Sequence, residues 1–443
     1  MKPLTEPAPP RVFSKQLALH GGIPVRAEPL PLEFPGAYFY GVEELENVSA
    51  VVQARSPFRY YGHDLQHMAD QFEKEFADFI GMPYALGVSS GTAALTIAMM
   101  ALGIGPGTEV IVPGYLWVST VSAVVRLGAI PVLADVDDTF CLDPADVERK
   151  LTVRTKGVVA VHMSGASGNI RNLADLCGKR GVPLLEDVAQ AAGASVDGQM
   201  LGSLGDMSIF SFQLNKSMTS GEGGAICTRS EALYNRAFAA HDLGYPRNQA
   251  GRLDFNDLET ATWGCGARIS EVTAALLRAQ LAKLPRICSA MRERKQKLAA
   301  MLGNIPGLVF RRVDDPNGEI GSFLLVTLPT PADAQFYVEA LRGEGIVTDS
   351  RGINTVRMTD WGLHIYHNIP ALVNKIGVSG GNNPWQDPRN EASNVSYDKG
   401  TLRRCDDLIS RTILMAIPPV LTDADLEDIN TAWHKVAAAR PLA

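Results

Sequence analysis

SFQLNKSMTSGEGGAI, residues 211–226, is the stretch that decides the fold, because a single lysine stands in it between two apolar patterns. The preceding SIFSF and the following GGAICT each predict a strand, which places Lys216 at the end of a sheet. A lone lysine is usually a solvated surface charge. Beside a buried strand end, however, an amine shielded from water has a lowered pKa and becomes a nucleophile toward carbonyl groups. The glycines of GEGG supply backbone that can pass close to a bound ligand.

Strands and helices alternate on the N-terminal side of this stretch. The segments YALGVSS, EVIVPG, IPVLADV, TKGVVAVHM and VPLLEDV predict strands, and helical patterns lie between them. The strands are almost wholly apolar, which is typical of a sheet with helices on both faces. The pattern predicts an α/β fold with a doubly wound, mostly parallel sheet. In such sheets ligands bind at the carboxyl ends of the strands.

The same patterns predict three parts of the chain. A proline-rich arm at 1–35 lies on the rest of the protein, and a large α/β domain covers 36–270. A smaller α+β domain at 271–443 begins with a long helix. Within it, about 352–400 is polar and irregular, a pattern that favours a lid, a binding loop or disorder.

Composition excludes several function classes. A net charge of −7 over 443 residues lacks the basic clustering of a nucleic-acid-binding protein. No run approaches the roughly 20 apolar residues of a membrane helix, and the N-terminus has no signal-peptide pattern. The six cysteines form no C-x-x-C pair and are predicted to be reduced thiols. We therefore expect a cytoplasmic protein.

Two motifs at strand ends suit a flat, phosphorylated ligand. VSSGTAAL places Ser90, Gly91 and Thr92 between a strand and a helix, where free amides and the helix dipole bind phosphate. An ordinary turn with a serine cap is the alternative. PGYLWVST places Trp117 directly after a strand, where its ring could stack on a flat ligand or simply pack in the fold.

A third motif, LLEDVAQ, places Asp187 at the end of an apolar strand, with Gln190 three residues later. A buried carboxylate needs a positive partner, such as a protonated pyridine nitrogen, or several hydrogen-bond donors. Its alternative role is a cap for the following segment. Together with Lys216, these motifs describe a site for pyridoxal phosphate: a phosphate cradle, a stacking ring, an acid for the ring nitrogen and a lysine for the aldehyde.

These motifs, together with VHMSG, EDVAQAAGA, GSLGDMSIFSFQLNK and TSGEGGAICT, resemble the DegT/StrS family of pyridoxal-phosphate-dependent sugar aminotransferases over roughly residues 35–435. The resemblance implies the aspartate-aminotransferase fold, called fold type I, and a homodimer with active sites at the subunit interface. Family relatives that act as dehydratases have histidine in place of this lysine. The presence of Lys216 therefore favours transamination.

The resemblance also implies a role for each motif residue. Lys216 forms the Schiff base with the cofactor, and Asp187 pairs with the pyridine nitrogen. Trp117 stacks on the ring, and Gln190 lies beside the ring hydroxyl. Gly91, Thr92 and Ser211 hold the phosphate, and Ser90 of the SSGT turn is counted with the cofactor residues from its motif.

The chain departs from the family in two places. GCGAR has Gly266 where many members have an asparagine that reaches the partner's phosphate, and RYYGHDLQ stands where many have Thr-Gly-Pro. Both differences bear on the substrate. The candidate substrate contacts are Tyr60, Tyr61, Arg268, His364 and Tyr366. The last two lie in the aromatic run DWGLHIYHN, residues 360–368, which could be a substrate wall or simply pack as a loop. His63 and His67 are spaced four apart, but without the glutamate of an H-E-x-x-H motif we expect no metal site.

The predicted activity is transfer of an amino group from glutamate or glutamine to a keto-sugar or cyclitol. The alternative is a non-transaminating pyridoxal-phosphate enzyme that carries out elimination, replacement or carbon–carbon bond formation on an amino acid. A cofactor-binding regulator without turnover is the third hypothesis, which the intact lysine, acid and glycine set disfavours.

Overall fold

The computed structural model describes residues 15–442 apart from 249, 351, 353 and 380. Thirteen strands lie in these residues: β1 Tyr84–Val88, β2 Glu109–Pro113, β3 Ile130–Ala134, β4 Thr155–Val161, β5 Leu184–Asp187, β6 Ser195–Val196, β7 Gln199–Met200, β8 Met207–Ser211, β9 Gly224–Thr228, β10 Val309–Phe310, β11 Phe323–Thr327, β12 Val356–Arg357 and β13 Thr412–Ala416.

Seven of them form the central sheet in the order β1-β9-β8-β5-β4-β2-β3. Only β9 runs antiparallel to its neighbours β1 and β8, while the other pairs are parallel. The predicted doubly wound, mostly parallel sheet is therefore confirmed.

Helices cover both faces of this sheet. The described residues contain twelve α-helices: α1 Val42–Gln53, α2 Met68–Ile80, α3 Gly91–Ala101, α4 Val118–Arg126, α5 Pro144–Lys150, α6 Ile170–Arg180, α7 Glu231–His241, α8 Glu271–Leu302, α9 Pro331–Gly343, α10 Pro370–Val373, α11 Arg403–Ser410 and α12 Asp423–Ala439. Along β2, Val110 and Val112 pack with α3, α4 and α7, whereas Ile111 packs with α2, α6 and α8. Successive residues of β2 thus meet a hydrophobic layer on each face of the sheet, which explains why the central strands are almost wholly apolar.

The C-terminal part has its own antiparallel sheet, in the order β10-β11-β13-β12, and its own core with α9 and α12. Helix α8 belongs to both cores. Leu277 and Leu284 pack under the central sheet, whereas Leu298 and Leu302 pack in the C-terminal core. The helix begins at the predicted boundary, but its first half packs on the large core.

The described part of the N-terminal arm lies on the C-terminal core. Leu17, Val25 and Leu30 are buried there. The Arg26 N–H donates to the carbonyl of Glu344 at 3.0 Å, so backbone hydrogen bonds also hold the arm. Residues 1–14 lie outside the described residues.

The described residues of the polar segment at 352–400 pack against the large domain. The segment consists of short helical turns, including α10, and it leaves the small sheet after β12. Tyr366 and Tyr397 are buried in the large core, and the Tyr397 hydroxyl donates to the carbonyl of Pro131 in the edge strand β3 at 2.7 Å. Asn390 donates to the carbonyl of Gly128 nearby. The segment therefore runs across the large domain to the edge of its sheet.

All six cysteines are free thiols, and five of them are buried. Within the described part of the chain, no helix is both long and apolar enough to span a membrane.

Candidate active site

A cavity of about 520 Å³ lies at the carboxyl ends of the parallel strands, between the central sheet and the small domain. Ile320 and Ile417 close it on the small-domain side. All eight residues predicted for the cofactor line it: Ser90, Gly91, Thr92, Trp117, Asp187, Gln190, Ser211 and Lys216. His364, predicted as a substrate contact, lines it as well.

The turn between β1 and α3 forms one end of the cavity. Ser90 caps α3, with its hydroxyl accepting from the Ala93 N–H at 3.1 Å. A Cβ at Gly91 would lie 2.7 Å from the Cβ of Ser211, and a Cβ at Gly224 would lie 2.6 Å from the Ser90 carbonyl carbon. Only glycines allow this contact between the helix start and strands β8 and β9. Gly224 thus approaches the Ser90 backbone rather than a ligand.

Free amides at the start of α3 and hydroxyls around it make this end suitable for a phosphate group. The Thr92 and Ser119 hydroxyls are 2.7 Å apart, which brings a second hydroxyl to the same place. Helix N-termini favour anions because their N–H groups are unpaired and the helix dipole is positive there. The residues present therefore fit a phosphorylated cofactor.

Asp187 is the last residue of β5 and is only 4% exposed. Its carboxylate accepts hydrogen bonds from the Thr120 hydroxyl at 3.0 Å and from the Ala189 N–H at 3.1 Å. Burial raises the pKa of Asp187, and these two donors oppose the rise. Two donors do not fully compensate a buried carboxylate, so a cation beside it would stabilise the charged form.

Lys216 follows β8 in the loop that joins it to β9. Burial lowers the pKa of its amine, and the nearby Asp187 carboxylate opposes that fall. A lowered pKa increases the share of neutral amine, which is the form that attacks a carbonyl group. The lysine is therefore an enclosed reactive group and not a solvated surface charge.

Three aromatic rings form one wall of the cavity. Trp117 is 42% exposed, and its ring centroid lies 4.6 Å from that of His364. His364 in turn stacks on Trp361 at 3.9 Å with the ring planes 15° apart. The segment at 352–400 thus supplies two of the three rings that stand beside Lys216.

His364 is neutral in this wall. Its Nδ1 donates to the carbonyl of Trp361 at 2.9 Å, and burial lowers its pKa to about 4. A neutral imidazole that donates from Nδ1 has Nε2 as a hydrogen-bond acceptor. The wall therefore offers a ligand hydroxyl one acceptor.

Four predicted substrate contacts do not line this cavity. The Tyr60 hydroxyl lies 3.0 Å from Nε2 of the buried His241, and Arg268 pairs with the buried Asp242. Tyr61 is exposed on the surface. For these three residues a substrate contact stays a prediction.

Tyr366 is the fourth of these residues, and it is fully buried. Its hydroxyl donates to the Asp406 carboxylate at 3.0 Å. The structure therefore gives no support to a substrate contact by Tyr366. Its place in the aromatic run DWGLHIYHN reflects packing on the large core.

Gly266 is exposed and has a φ of 63°, and a Cβ there would have no atom within 4 Å. An asparagine would fit this position, because asparagine adopts left-handed backbone more readily than most residues.

Sequence reasoning did not single out Trp361, although it lies in the run DWGLHIYHN, a candidate substrate wall. It stands three residues before His364, and the two rings stack. Sequence reasoning missed the small-domain residues Ile320 and Ile417, which no local motif marks. No group of three histidine, cysteine, aspartate or glutamate residues suited to a metal ion occurs among the residues that the structure describes. The ring of His67 lies 2.9 Å from the Asp70 carboxylate.

Comparison with known proteins places this geometry in a family. L-glutamine:2-deoxy-scyllo-inosose aminotransferase of Streptomyces paromomycinus is 33% identical over 444 residues, covering 96% of this chain and 98% of the relative. GDP-perosamine synthase of Vibrio cholerae is 37% identical over a region that covers 58% of this chain and 68% of the relative. The crystal structure of 3-amino-5-hydroxybenzoic acid synthase superposes with a TM-score of 0.74 at 28% identity, covering 94% of this chain and all of that one. Residues 43–355 match the family profile, and the chain therefore belongs to the DegT/DnrJ/EryC1/StrS aminotransferase family.

Proposed function

We propose that this aminotransferase uses pyridoxal phosphate held by Lys216 to move an amino group from glutamine to a ring ketone of a cyclitol or sugar without a nucleotide. The observation that carries the proposal is the meeting of Lys216 and Asp187 in one cavity at the strand ends, beside the α3 N-terminus. The relative from Streptomyces paromomycinus, which matches along nearly the whole chain, carries a glutamine and cyclitol name.

The cavity residues fit the cofactor group by group. The start of α3 would hold the phosphate, the Trp117 ring would stack on the pyridine ring, and Asp187 would face the ring nitrogen. When bound, the cofactor supplies an electron sink for charge that develops on the substrate carbon. Thr120 and the Ala189 N–H keep the Asp187 carboxylate in place, because each donates to one of its oxygens.

Lys216 then has two tasks. Its neutral amine would hold the cofactor through Nζ. When Nζ is not bound to the cofactor, it would carry a proton to and from the substrate as general acid and base. The lowered pKa of Lys216 suits both tasks, because a protonated amine can neither attack nor accept a proton.

The charges of the cavity support an uncharged acceptor. Among the described residues that line it, Lys216 is the one amine or guanidinium, whereas Glu33, Glu222 and Asp187 carry carboxyl groups. Away from the start of α3, these carboxylates would repel the diphosphate of a nucleotide-linked sugar. A polyhydroxylated ring, in contrast, could donate a hydroxyl to Nε2 of His364.

A homodimer is the proposed active unit. Large apolar side chains are exposed in the segment that follows α7, namely Leu243, Phe255, Leu258 and Trp263, and at Tyr61, whose neighbour Tyr60 contacts His241 at the end of α7. Within this apolar cluster Trp263 is 91% exposed. Exposed apolar residues concentrated in this way are typical of a protein interface.

The test uses the purified enzyme reconstituted with pyridoxal phosphate. Glutamine should remove the visible absorption band of the cofactor and release a 2-oxo acid. Addition of 2-deoxy-scyllo-inosose should then restore the band, more efficiently than a nucleotide-linked keto-sugar does. Loss of the band without 2-oxo acid would instead indicate a non-transaminating reaction. Lys216→Ala is the control, because it should lose the borohydride-reducible bond to the cofactor.

A further inference from the structure

The turn that follows β4 has an unusual backbone. Ser164 has a φ of 56° and Gly165 a φ of 80°, so two successive residues are left-handed, and one of them is not glycine. The Ser164 N–H donates to Oε1 of Gln190 at 2.9 Å, and its hydroxyl lies 2.8 Å from that of Tyr115. A left-handed residue with a side chain persists only where its surroundings hold it.

Arg311 of the small domain holds this turn from outside the cavity. It is 8% exposed and follows β10. Its Nη1 donates to the carbonyl of Met163 at 2.7 Å, and its Nη2 donates to the carbonyl of Ala166 at 3.3 Å. Its Nε donates to the carbonyl of Thr139 at 2.6 Å. The guanidinium thus forms hydrogen bonds with the turn on both sides of Ser164.

Arg311 has no ion pair with a carboxylate among the described residues, and its oxygen partners are backbone carbonyls. A buried cation is retained in such surroundings at a considerable cost in desolvation. The Ile320 N–H, also from the small domain, donates to the carbonyl of Gly165 at 2.9 Å. Small-domain donors therefore hold the carbonyls on both sides of Ser164.

We infer that Arg311 is a positioning residue of the active site that acts through Ser164 on Gln190. With Oε1 of Gln190 accepting from Ser164, the side-chain amide has a fixed orientation, and its Nε2 is left to donate to the ring oxygen of the cofactor. The inference rests on the proposed function and on the place beside that oxygen that the family resemblance implies for Gln190.

The consequence is electrostatic. With the cofactor bound, a donor to the ring oxygen would stabilise the negative charge of that oxygen and so weaken its hold on a proton. Loss of the donor lets that proton bind more tightly. The pH at which the bound cofactor changes its visible absorption therefore rises when Gln190 is removed or misplaced.

The test is a double-mutant cycle read by the pH midpoint of the cofactor's visible band. Gln190→Ala should raise the midpoint, and Arg311→Met should raise it in the same direction. The double variant should show no larger shift than Gln190→Ala alone, because both changes remove the same hydrogen bond. Arg294→Met is the matched control, because Arg294, which lies in α8, also donates to a backbone carbonyl, that of Leu421 at 2.6 Å. The pH midpoint of this variant should equal that of the wild type.

Two results would overturn the inference. The first is an Arg311→Met protein that is less stable but has the wild-type midpoint, and the second is a pair of shifts that add in the double variant. If Arg311→Met fails to fold, Arg311→Lys replaces it, and a wild-type midpoint there counts against the inference equally. A cofactor that binds Lys216 while Gln190→Ala shifts nothing would remove the role of Gln190 and leave the aminotransferase proposal intact. A cofactor that does not bind Lys216 would overturn the proposed function itself.

Discussion

At the scale of single residues, the cavity buries a carboxyl group whose charged form is stable only beside a cationic ligand. Asp187 is buried, and burial raises its pKa. A carboxyl group with a raised pKa in the folded state destabilises the fold, and this loss develops as the pH rises above the ordinary value near 4. At neutral pH the free energy of unfolding of the cofactor-free protein is therefore reduced by Asp187.

Asp187→Asn should have opposite effects on stability and on cofactor binding. Without cofactor, the variant should have a larger free energy of unfolding than the wild type at neutral pH, by on the order of 1 kcal/mol. With cofactor, it should bind less tightly and turn over far more slowly, because the ring nitrogen loses its anion. Urea unfolding of the cofactor-free proteins and equilibrium dialysis of the cofactor measure the two effects. A less stable cofactor-free variant would contradict the first part.

Gly266→Asn tests the departure from the family pattern. The left-handed backbone and the open space at Gly266 should accept asparagine without loss of stability. If the residue reaches the phosphate of the partner's cofactor, the added hydrogen bond to a charged group should strengthen cofactor binding by about 1.5–3 kcal/mol. If the space serves the acceptor, cofactor affinity should stay the same and the acceptor's KM should rise. Gly266→Ala is the matched control, and no change with asparagine would mean that Gly266 is only a turn residue.

Buried neutral histidines should make the protein sensitive to acid. Burial lowers the pKa of His241 to about 3 and that of His364 to about 4. Because these folded-state values lie below the ordinary value near 6.5, the unfolded chain binds protons first as the pH falls. Each histidine should then reduce the free energy of unfolding by about 1.4 kcal/mol per pH unit between roughly pH 6 and 4.

His241→Gln removes one titrating ring and keeps an acceptor for the Tyr60 hydroxyl, so its stability should fall less steeply over this range than that of the wild type. Urea unfolding at several pH values measures the slopes. Exposed His63→Gln is the control and should retain the wild-type slope. Equal slopes for the two variants would rule out His241 as a cause.

At the scale of elements, local patterns predicted the central strands and helices because each strand is a short apolar run and each helix has a regular apolar face. The same locality explains why eight candidate cofactor residues could be named: each lies within five residues of the carboxyl end of a strand, where topology makes ligand sites. Ile320 and Ile417 could not be named, and Trp361 could not be singled out within its aromatic run, because their position depends on packing between distant segments. For the same reason the segment at 352–400 gave no sign that it would cover the edge strand β3.

Glu271 in the first turn of α8 serves a second helix. It is fully buried, and its carboxylate accepts from the N–H groups of Met68 and Ala69 at the start of α2, at 2.7 and 3.0 Å. The N-cap residue of α2, His67, makes no capping hydrogen bond with its side chain. Glu271 therefore replaces the missing cap from another element.

Glu271→Ala should lower the free energy of unfolding by about 2–3 kcal/mol, because two helix N–H groups lose a charged acceptor. Glu271→Gln keeps one acceptor oxygen in the same place and should lose less. Chemical denaturation of both variants gives the comparison. Equal losses would show that charge alone, and not the acceptor, stabilises the start of α2.

At the scale of the whole molecule, no pattern in the amino-acid sequence could show which surface contacts a second copy. Sedimentation should nevertheless give a dimer for the wild type. Trp263→Asp should weaken the dimer, since it places a charge in the exposed apolar cluster. Val153→Asp, at a fully exposed valine away from that cluster, is the control and should leave the dimer unchanged. An active wild-type monomer would contradict the proposed assembly.

The segment after β12 has a consequence for how molecules reach Lys216. It leaves the small sheet, passes His364 at the cavity, anchors Tyr397 on the edge strand and returns to the small sheet at β13. This segment thus attaches the small domain to the large one, and a wide movement between the two domains would require Tyr366 and Tyr397 to leave the core. Entry and exit should depend on side-chain movements at the mouth, so the largest acceptor that the enzyme admits is set by the folded dimensions of the pocket rather than by how far a gate opens.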